Sequence, residues 1–193
     1  MSEAYLSLLA FILFMVATPG PANLLMMIGG AQKGFASCIG FILGLVCGKV
    51  FLNLVFGLGF GFFLADQQLL VNGLKFVSAG YMIWLALQSW NDRVAAGVGH
   101  SPFTFRHGVI LHPLNPKAWV MVILVWSQFA PALGALEVQL VLVTSSFAII
   151  QLVFHTMWCF SGALLQTALP CSRWLTRSMI MITVGIVIWA LFF

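Results

Sequence analysis

The sequence predicts an all-α, polytopic membrane protein: six transmembrane helices as a 3+3 inverted repeat, with both termini periplasmic. Three observations lead there: the composition, the spacing of apolar stretches, and the one-sided placement of Lys and Arg. Of 193 residues, 62% are apolar and only 6% charged, whereas a soluble domain carries about 25% charged residues to keep its surface wet. Four Asp/Glu and eight Lys/Arg cover too little of a globule of this length.

A membrane helix needs about 20 mostly apolar residues at 1.5 Å each. The stretches that meet or approach this are residues 4–28, 38–65, 69–90, 118–136, 138–169 and 178–193. The last is short, so its helix is expected to begin near Trp174. The longest linker, about residues 91–116, holds Gly97, Gly99 and Pro102 with a cluster of charge and histidine. It divides a single transmembrane domain, residues 1–193, into a first repeat of about 1–90 and a second of about 117–193.

Lys and Arg in short loops stay in the cytoplasm. One side of the membrane receives Lys33, Arg93, Arg106, Lys117, Arg173 and Arg177, with Asp92 as its acidic residue. The other receives Glu3, Asp66 and Glu137 and no Lys or Arg. The termini are therefore expected outside and the 91–116 loop inside. Three spans per half make the second half enter the membrane in the opposite sense, the arithmetic of an inverted-repeat transporter. Faint symmetry agrees: Gly80-Tyr81-Met82-Ile83-Trp84 in span three matches Gly185-Ile186-Val187-Ile188-Trp189 in span six, and Lys49 in span two matches His155 in span five.

Several functional classes fall away. A net charge of +4 built from so few charges makes no basic patch for nucleic acid, and no phosphate-cradling glycine loop is present. Cys38, Cys47, Cys159 and Cys171 contain no C-x-x-C pair and read as packing thiols. His100, His107 and His112 lack tight metal spacing, and no cofactor or metal is expected. The apolar run behind Glu3 has no basic leader and does not read as a signal peptide. A membrane-embedded enzyme is not expected either, because the spans hold no His/carboxylate cluster.

The residues able to carry chemistry lie where regular helix is interrupted or where charge is buried. Pro19, Gly20 and Pro21 break span one and Asn23 follows. Prolines remove amide donors, and broken helix in a bilayer persists only where protein or a wet cavity satisfies the backbone. The alternatives are a kink repaired by neighbours and a discontinuous helix lining a substrate cavity. His112-Pro113-Leu114-Asn115-Pro116-Lys117 repeats the device, with Asn115 as N-cap and Pro116 in the first turn. It is either a plain capped start with Lys117 at the headgroups or a second break facing the first. Helix ends so placed offer amides to a carboxylate and carbonyls to an ammonium.

Lys49 falls midway between Lys33 and Asp66, too deep for easy snorkelling, and charge at that depth is functional by default. Every Asp and Glu lies in or beside a loop, so its partner is backbone carbonyl, water, a substrate carboxylate or nothing. Gly40, Gly44 and Gly48 form a ladder of small residues suited to close helix packing. His155, central in span five, reads equally as proton carrier, substrate ligand or packed imidazole. Lys75, Trp84, Trp90, Trp119 and Trp174 suit interfacial anchoring or packing.

With these motifs in view, the chain resembles the LysE/RhtB family of amino-acid exporters, small bacterial inner-membrane proteins. The resemblance rests on Thr18-Pro19-Gly20-Pro21 with Asn23, Gly34, Lys75…Gly80-Tyr81, Phe105…Gly108…Asn115-Pro116-Lys117 and Gln128-Phe129, nearly end to end. It implies efflux of amino acids or close derivatives (threonine, homoserine, cysteine and lysine within the family), driven by proton antiport. The expected substrate-binding residues are Pro19, Gly20, Pro21, Asn23, Lys49, Asn115, Pro116 and Lys117, with Lys49 and His155 as proton-coupling candidates. In the favoured version, protonated Lys49 occupies the place of the substrate ammonium, so proton and substrate exclude each other. The expected partners are an amino acid, protons and the bilayer, with a homodimer as an open expectation for so small a polytopic chain. The competing reading is a small membrane subunit that binds partners and transports nothing.

Overall fold

The computed structural model describes residues 2–61, 68–90, 103–168 and 173–192, and every described segment of regular structure is helical. Asp66, Asp92, Arg93, Gly97, Gly99, His100, Pro102 and Cys171 lie outside the described residues. The helices in chain order are α1 (Ser2–Ala17), α2 (Pro21–Lys33), α3 (Phe35–Gly57), α4 (Gln68–Gln88), α5 (Phe105–Leu111), α6 (Pro116–Leu124), α7 (Leu136–Ala168) and α8 (Arg173–Phe192). A π turn at Val125–Phe129 and a 3₁₀ turn at Ala130–Leu133 extend α6.

Among the described residues, three stretches are long and apolar enough to cross a membrane: Phe35–Gly57, Pro116–Leu133 and Leu136–Ala168. The pair Glu3–Ala17 and Pro21–Lys33, bent by 53°, makes a fourth if taken as one span. α4 is not among them, and the apolar part of α8, Thr176–Trp189, is shorter than a span. The molecule is thus an all-helical, multi-pass membrane protein. Large apolar side chains face outward along its length, among them Phe14, Phe51, Phe60, Val141 and Met181. Such a surface suits lipid rather than water.

The glycine ladder finds its partner in an unexpected place. A Cβ on Gly44 would run into the Phe105 carbonyl oxygen, and one on Gly48 would meet that of Val109 at 2.5 Å. From the other side, a Cβ on Gly108 would run into the Phe41 carbonyl oxygen. The helix packed against this ladder is therefore α5, which lies inside the segment read from sequence as a cytoplasmic loop. It runs alongside α3 from Gly40 to Gly48, so its end at Leu111 reaches the middle of α3. Only seven residues long and carrying Arg106 and His107, α5 is too short and polar to register as apolar periodicity. α2 and α7 also touch backbone to backbone, where a Cβ on Gly30 would run into the Cys159 carbonyl oxygen.

The charged residues separate along the molecule. Gln32, beside Lys33, donates to the Ser89 carbonyl, and Arg177 lies over the Trp90 ring at 5.3 Å. Lys33 and Arg177 consequently share one end with the start of α3. At the opposite end of α3, Gly57 packs on Trp126 and Leu140, close to Glu137. Lys117 does not belong to the basic end: its ammonium turns into the interior, as follows.

Candidate functional site

α1 ends where Thr18 N still donates to the Phe14 carbonyl at 3.2 Å. Pro19 and Pro21 supply no further donors, and α2 restarts with Pro21 at its first position. The broken end leaves carbonyls that need partners, since an unpaired backbone group in an apolar interior costs several kcal/mol. Asn23 meets that need by folding back: its Nδ2 donates to Val16 O at 2.9 Å and to Thr18 O at 3.0 Å.

The second break spans residues 112–115. Asn115 caps α6 by accepting from Lys117 N at 3.1 Å, Pro116 opens the helix, and Trp119 Nε1 donates to Pro113 O at 2.6 Å. The Lys117 side chain leaves this helix start and crosses to the first break. Its Nζ donates to Thr18 O at 2.9 Å and to Thr18 Oγ1 at 2.8 Å. Gly20 makes room for it, because a Cβ there would meet Lys117 Cδ at 3.1 Å and Nζ at 3.3 Å. The two interruptions are thus joined by a cation. Lys117 belongs to the interior rather than to the headgroups, which corrects its place in the charge map.

Around this junction lies a narrow cleft of about 20 Å³, lined among others by Gly20, Asn23, His112, Asn115, Lys117, Gln151 and His155. α7 supplies Gln151 and His155, one turn apart and both buried. His155 Nδ1 lies 3.0 Å from Asn23 Oδ1, and Gln151 Nε2 lies 2.7 Å from His112 Nε2. The two imidazoles meet edge to face with centroids 5.6 Å apart.

Of the residues expected from sequence, Gly20, Asn23, Asn115, Lys117 and His155 line this cleft. Pro19, Pro21 and Pro116 shape its helix ends without lining it. Lys49 is placed elsewhere. It is fully buried, donates to the Ala118 carbonyl at 3.1 Å, and lies 4.3 Å from the centroid of the Phe147 ring. One turn on, Asn53 binds the Lys49 carbonyl at 3.0 Å and accepts from Trp126 Nε1 at 3.2 Å. Lys49 therefore ties α3 to α6 behind the cleft wall. The carboxylates among the described residues, Glu3 and Glu137, sit in the first turns of α1 and α7, away from both lysines.

Sequence reasoning passed over Gln151 and gave His112 no binding role. The available signal was polar spacing: Gln151 and His155 stand four residues apart in a long apolar run, as do Lys49 and Asn53. Among the described residues no group of three His, Cys, Asp or Glu is arranged to hold a metal ion.

An all-helical membrane protein with two facing helix breaks around a small polar cleft has the makings of a translocator. The chain belongs to the LysE type translocator family, whose model matches residues 13–193. It is 29% identical over 128 residues to an uncharacterized membrane protein of Vibrio cholerae, covering 63% of this chain and 62% of that one. It is 26% identical over 166 residues to an uncharacterized membrane protein of Bacillus subtilis, covering 77% and 79%. Over 118 residues it is 25% identical to a homoserine/homoserine lactone efflux protein of Salmonella typhimurium, covering 58% and 57%. The chain spans about six tenths of the length of the first of these relatives. No solved structure matches.

Proposed function

We propose that the protein exports amino acids or close derivatives across the bacterial inner membrane, by alternating access with proton antiport. The observation that carries this reading is the junction of the two breaks, where Lys117 of α6 holds Thr18 at the end of α1 beside a polar cleft. A substrate carboxylate competes with Thr18 for the Lys117 ammonium. Binding then loosens the link between the breaks, and the two halves are freed to tilt about the site.

The element order supports a repeat. A broken helix (α1–α2), a long helix (α3) and a further helix (α4) are followed by a broken helix (α5–α6), a long helix (α7) and a further helix (α8). On this reading each half contributes three spans in opposite senses within one transmembrane domain, with both termini periplasmic. Glu3 and Glu137 then face outward, and Lys33 and Arg177 face the cytoplasm, as retention of basic residues requires. Pro19, Gly20, Pro21, Asn23, Asn115, Pro116 and Lys117 form the site.

The test is an export screen. Cells producing the protein are loaded with dipeptides, and the protein amino acids plus homoserine (suggested by the Salmonella relative) are followed in the medium, with an uncoupler control. Selective, uncoupler-sensitive release of one or a few is expected. Unchanged efflux across the panel, with the protein present in the membrane, contradicts the reading and favours a partner-binding subunit.

A further inference from the structure

Three buried polar atoms on residues lining the cleft have no hydrogen-bond partner among the described residues: His155 Nε2, His112 Nδ1 and Gln151 Oε1. Buried polar groups are almost always paired, and each exception calls for a reason. Leaving such an atom unpaired costs about 1–3 kcal/mol. Three together, on side chains that already bind one another, make an arrangement awaiting a ligand.

The network fixes what kind of atom His155 Nε2 is, and the Gln151–His112 contact pairs the roles of the other two. Asn23 Nδ2 faces two carbonyl oxygens, Val16 O and Thr18 O, so its Oδ1 faces His155. A carbonyl oxygen only accepts, so His155 Nδ1 carries the hydrogen and Nε2 is a bare acceptor. Gln151 turns its NH₂ to His112 Nε2, which leaves Gln151 Oε1 as a second acceptor and His112 Nδ1 as a donor. α7 therefore carries two neutral acceptors one helical turn apart, on side chains that line the same cleft as Lys117.

We propose that His155 Nε2 and Gln151 Oε1 receive the amino group of the exported molecule, and that a proton on His155 Nε2 takes the same place, so the two occupy the site in turn. The assignment rests on the export reading above and adds its specificity to it. Neutral acceptors suit an N–H donor that must later leave, because no carboxylate holds it by charge. Protonation turns Nε2 from acceptor into donor and puts a positive charge where the substrate nitrogen sat. The other charged or titratable groups around His155 are His112 across the ring contact, Lys117 of α6 and Lys49 of α3. A proton on Nε2 and a substrate ammonium would put two positive charges at one atom, so the site takes one at a time. Asn23 of α2 contributes no charge.

The test uses the full-length protein in cells and the amino-acid panel together with its N-acetyl derivatives, which lack the amine. Wild-type protein is expected to export its amino acid at least tenfold faster than the N-acetyl form. His155→Gln, which keeps an acceptor but takes no proton, is expected to release that amino acid down its gradient with no response to uncoupler. Gln151→Leu is expected to raise KM at least tenfold while uncoupler sensitivity persists. A purely structural His155 leaves the uncoupler response untouched, so uncoupler-sensitive export by His155→Gln overturns the assignment alone. Equal export of free and N-acetylated forms by the wild type, which needs no variant to fold, also overturns it and leaves water as the occupant of these atoms. Export of no panel member by the wild type overturns the export reading and this assignment together.

Discussion

Two lysines in the membrane interior hold opposite positions in the account. Lys117 Nζ makes charge-assisted bonds to Thr18 and reaches the cleft, whereas Lys49 Nζ is spent on the Ala118 carbonyl and the Phe147 ring. Bonds from charged groups contribute about 1.5–3 kcal/mol each, so Lys117→Met is expected to lower apparent substrate affinity at least about tenfold. Uptake or efflux kinetics at saturating and limiting substrate read this directly. Lys49→Met removes a buried cation with no counter-charge among the described residues, so the desolvation it relieves offsets the bond to the Ala118 carbonyl that it loses. The variant is expected to melt no lower than wild type in detergent and to keep uncoupler-sensitive export. Loss of that sensitivity would restore Lys49 as the proton carrier. Sequence made Lys49 conspicuous because a cation in an apolar run stands out on its own. Gln151 stayed hidden because an uncharged amide carries no such signal until His112 and His155 are brought beside it.

At the scale of helices, glycine positions divide into contacts and open space. Gly44 and Gly108 sit where α3 and α5 touch through their backbones, while an added Cβ on Gly80 or Gly185 meets nothing within 4 Å. Gly44→Ala forces the backbones apart, and overpacking of this kind costs about 1–3 kcal/mol. Gly80→Ala and Gly185→Ala are expected to be neutral within about 0.5 kcal/mol, as thermal unfolding of the purified variants checks. The small-residue ladder was legible in the sequence as a packing surface, but its partner was not. α5 lies between the undescribed linker and a proline break, and it carries Arg106, so hydropathy assigns it to a loop. Both breaks were legible from proline, glycine and asparagine alone. That they meet was one of two open alternatives, because the Lys117–Thr18 bond joins residues far apart in the chain and no spacing reveals it.

For the whole molecule, the apolar exterior and the gathering of Lys33 and Arg177 at one end make orientation testable. Single cysteines placed at Glu3 and Glu137 in a background lacking native cysteines are expected to react with a membrane-impermeant thiol reagent in intact cells. Cysteines at Lys33 and Arg106 are expected to react only after lysis. Labelling of all four from outside would contradict the opposed orientation of the halves. Composition and charge placement carried the membrane class, since 6% charge admits no soluble alternative. The site needed the fold, because its cleft is assembled from α1, α2, α6, α7 and the turn after α5.

The central claim is that the cleft between the two breaks exchanges an amino acid for a proton. Its most direct test is efflux from liposomes containing the purified full-length protein, each loaded with one panel amino acid, with the outside made more acidic than the lumen. The account predicts that this gradient accelerates release of the exported amino acid, that a reversed gradient slows it, and that His155→Gln releases it at one rate under both. Release no faster than from protein-free liposomes for every amino acid, or release by the wild type that ignores the gradient, would contradict it.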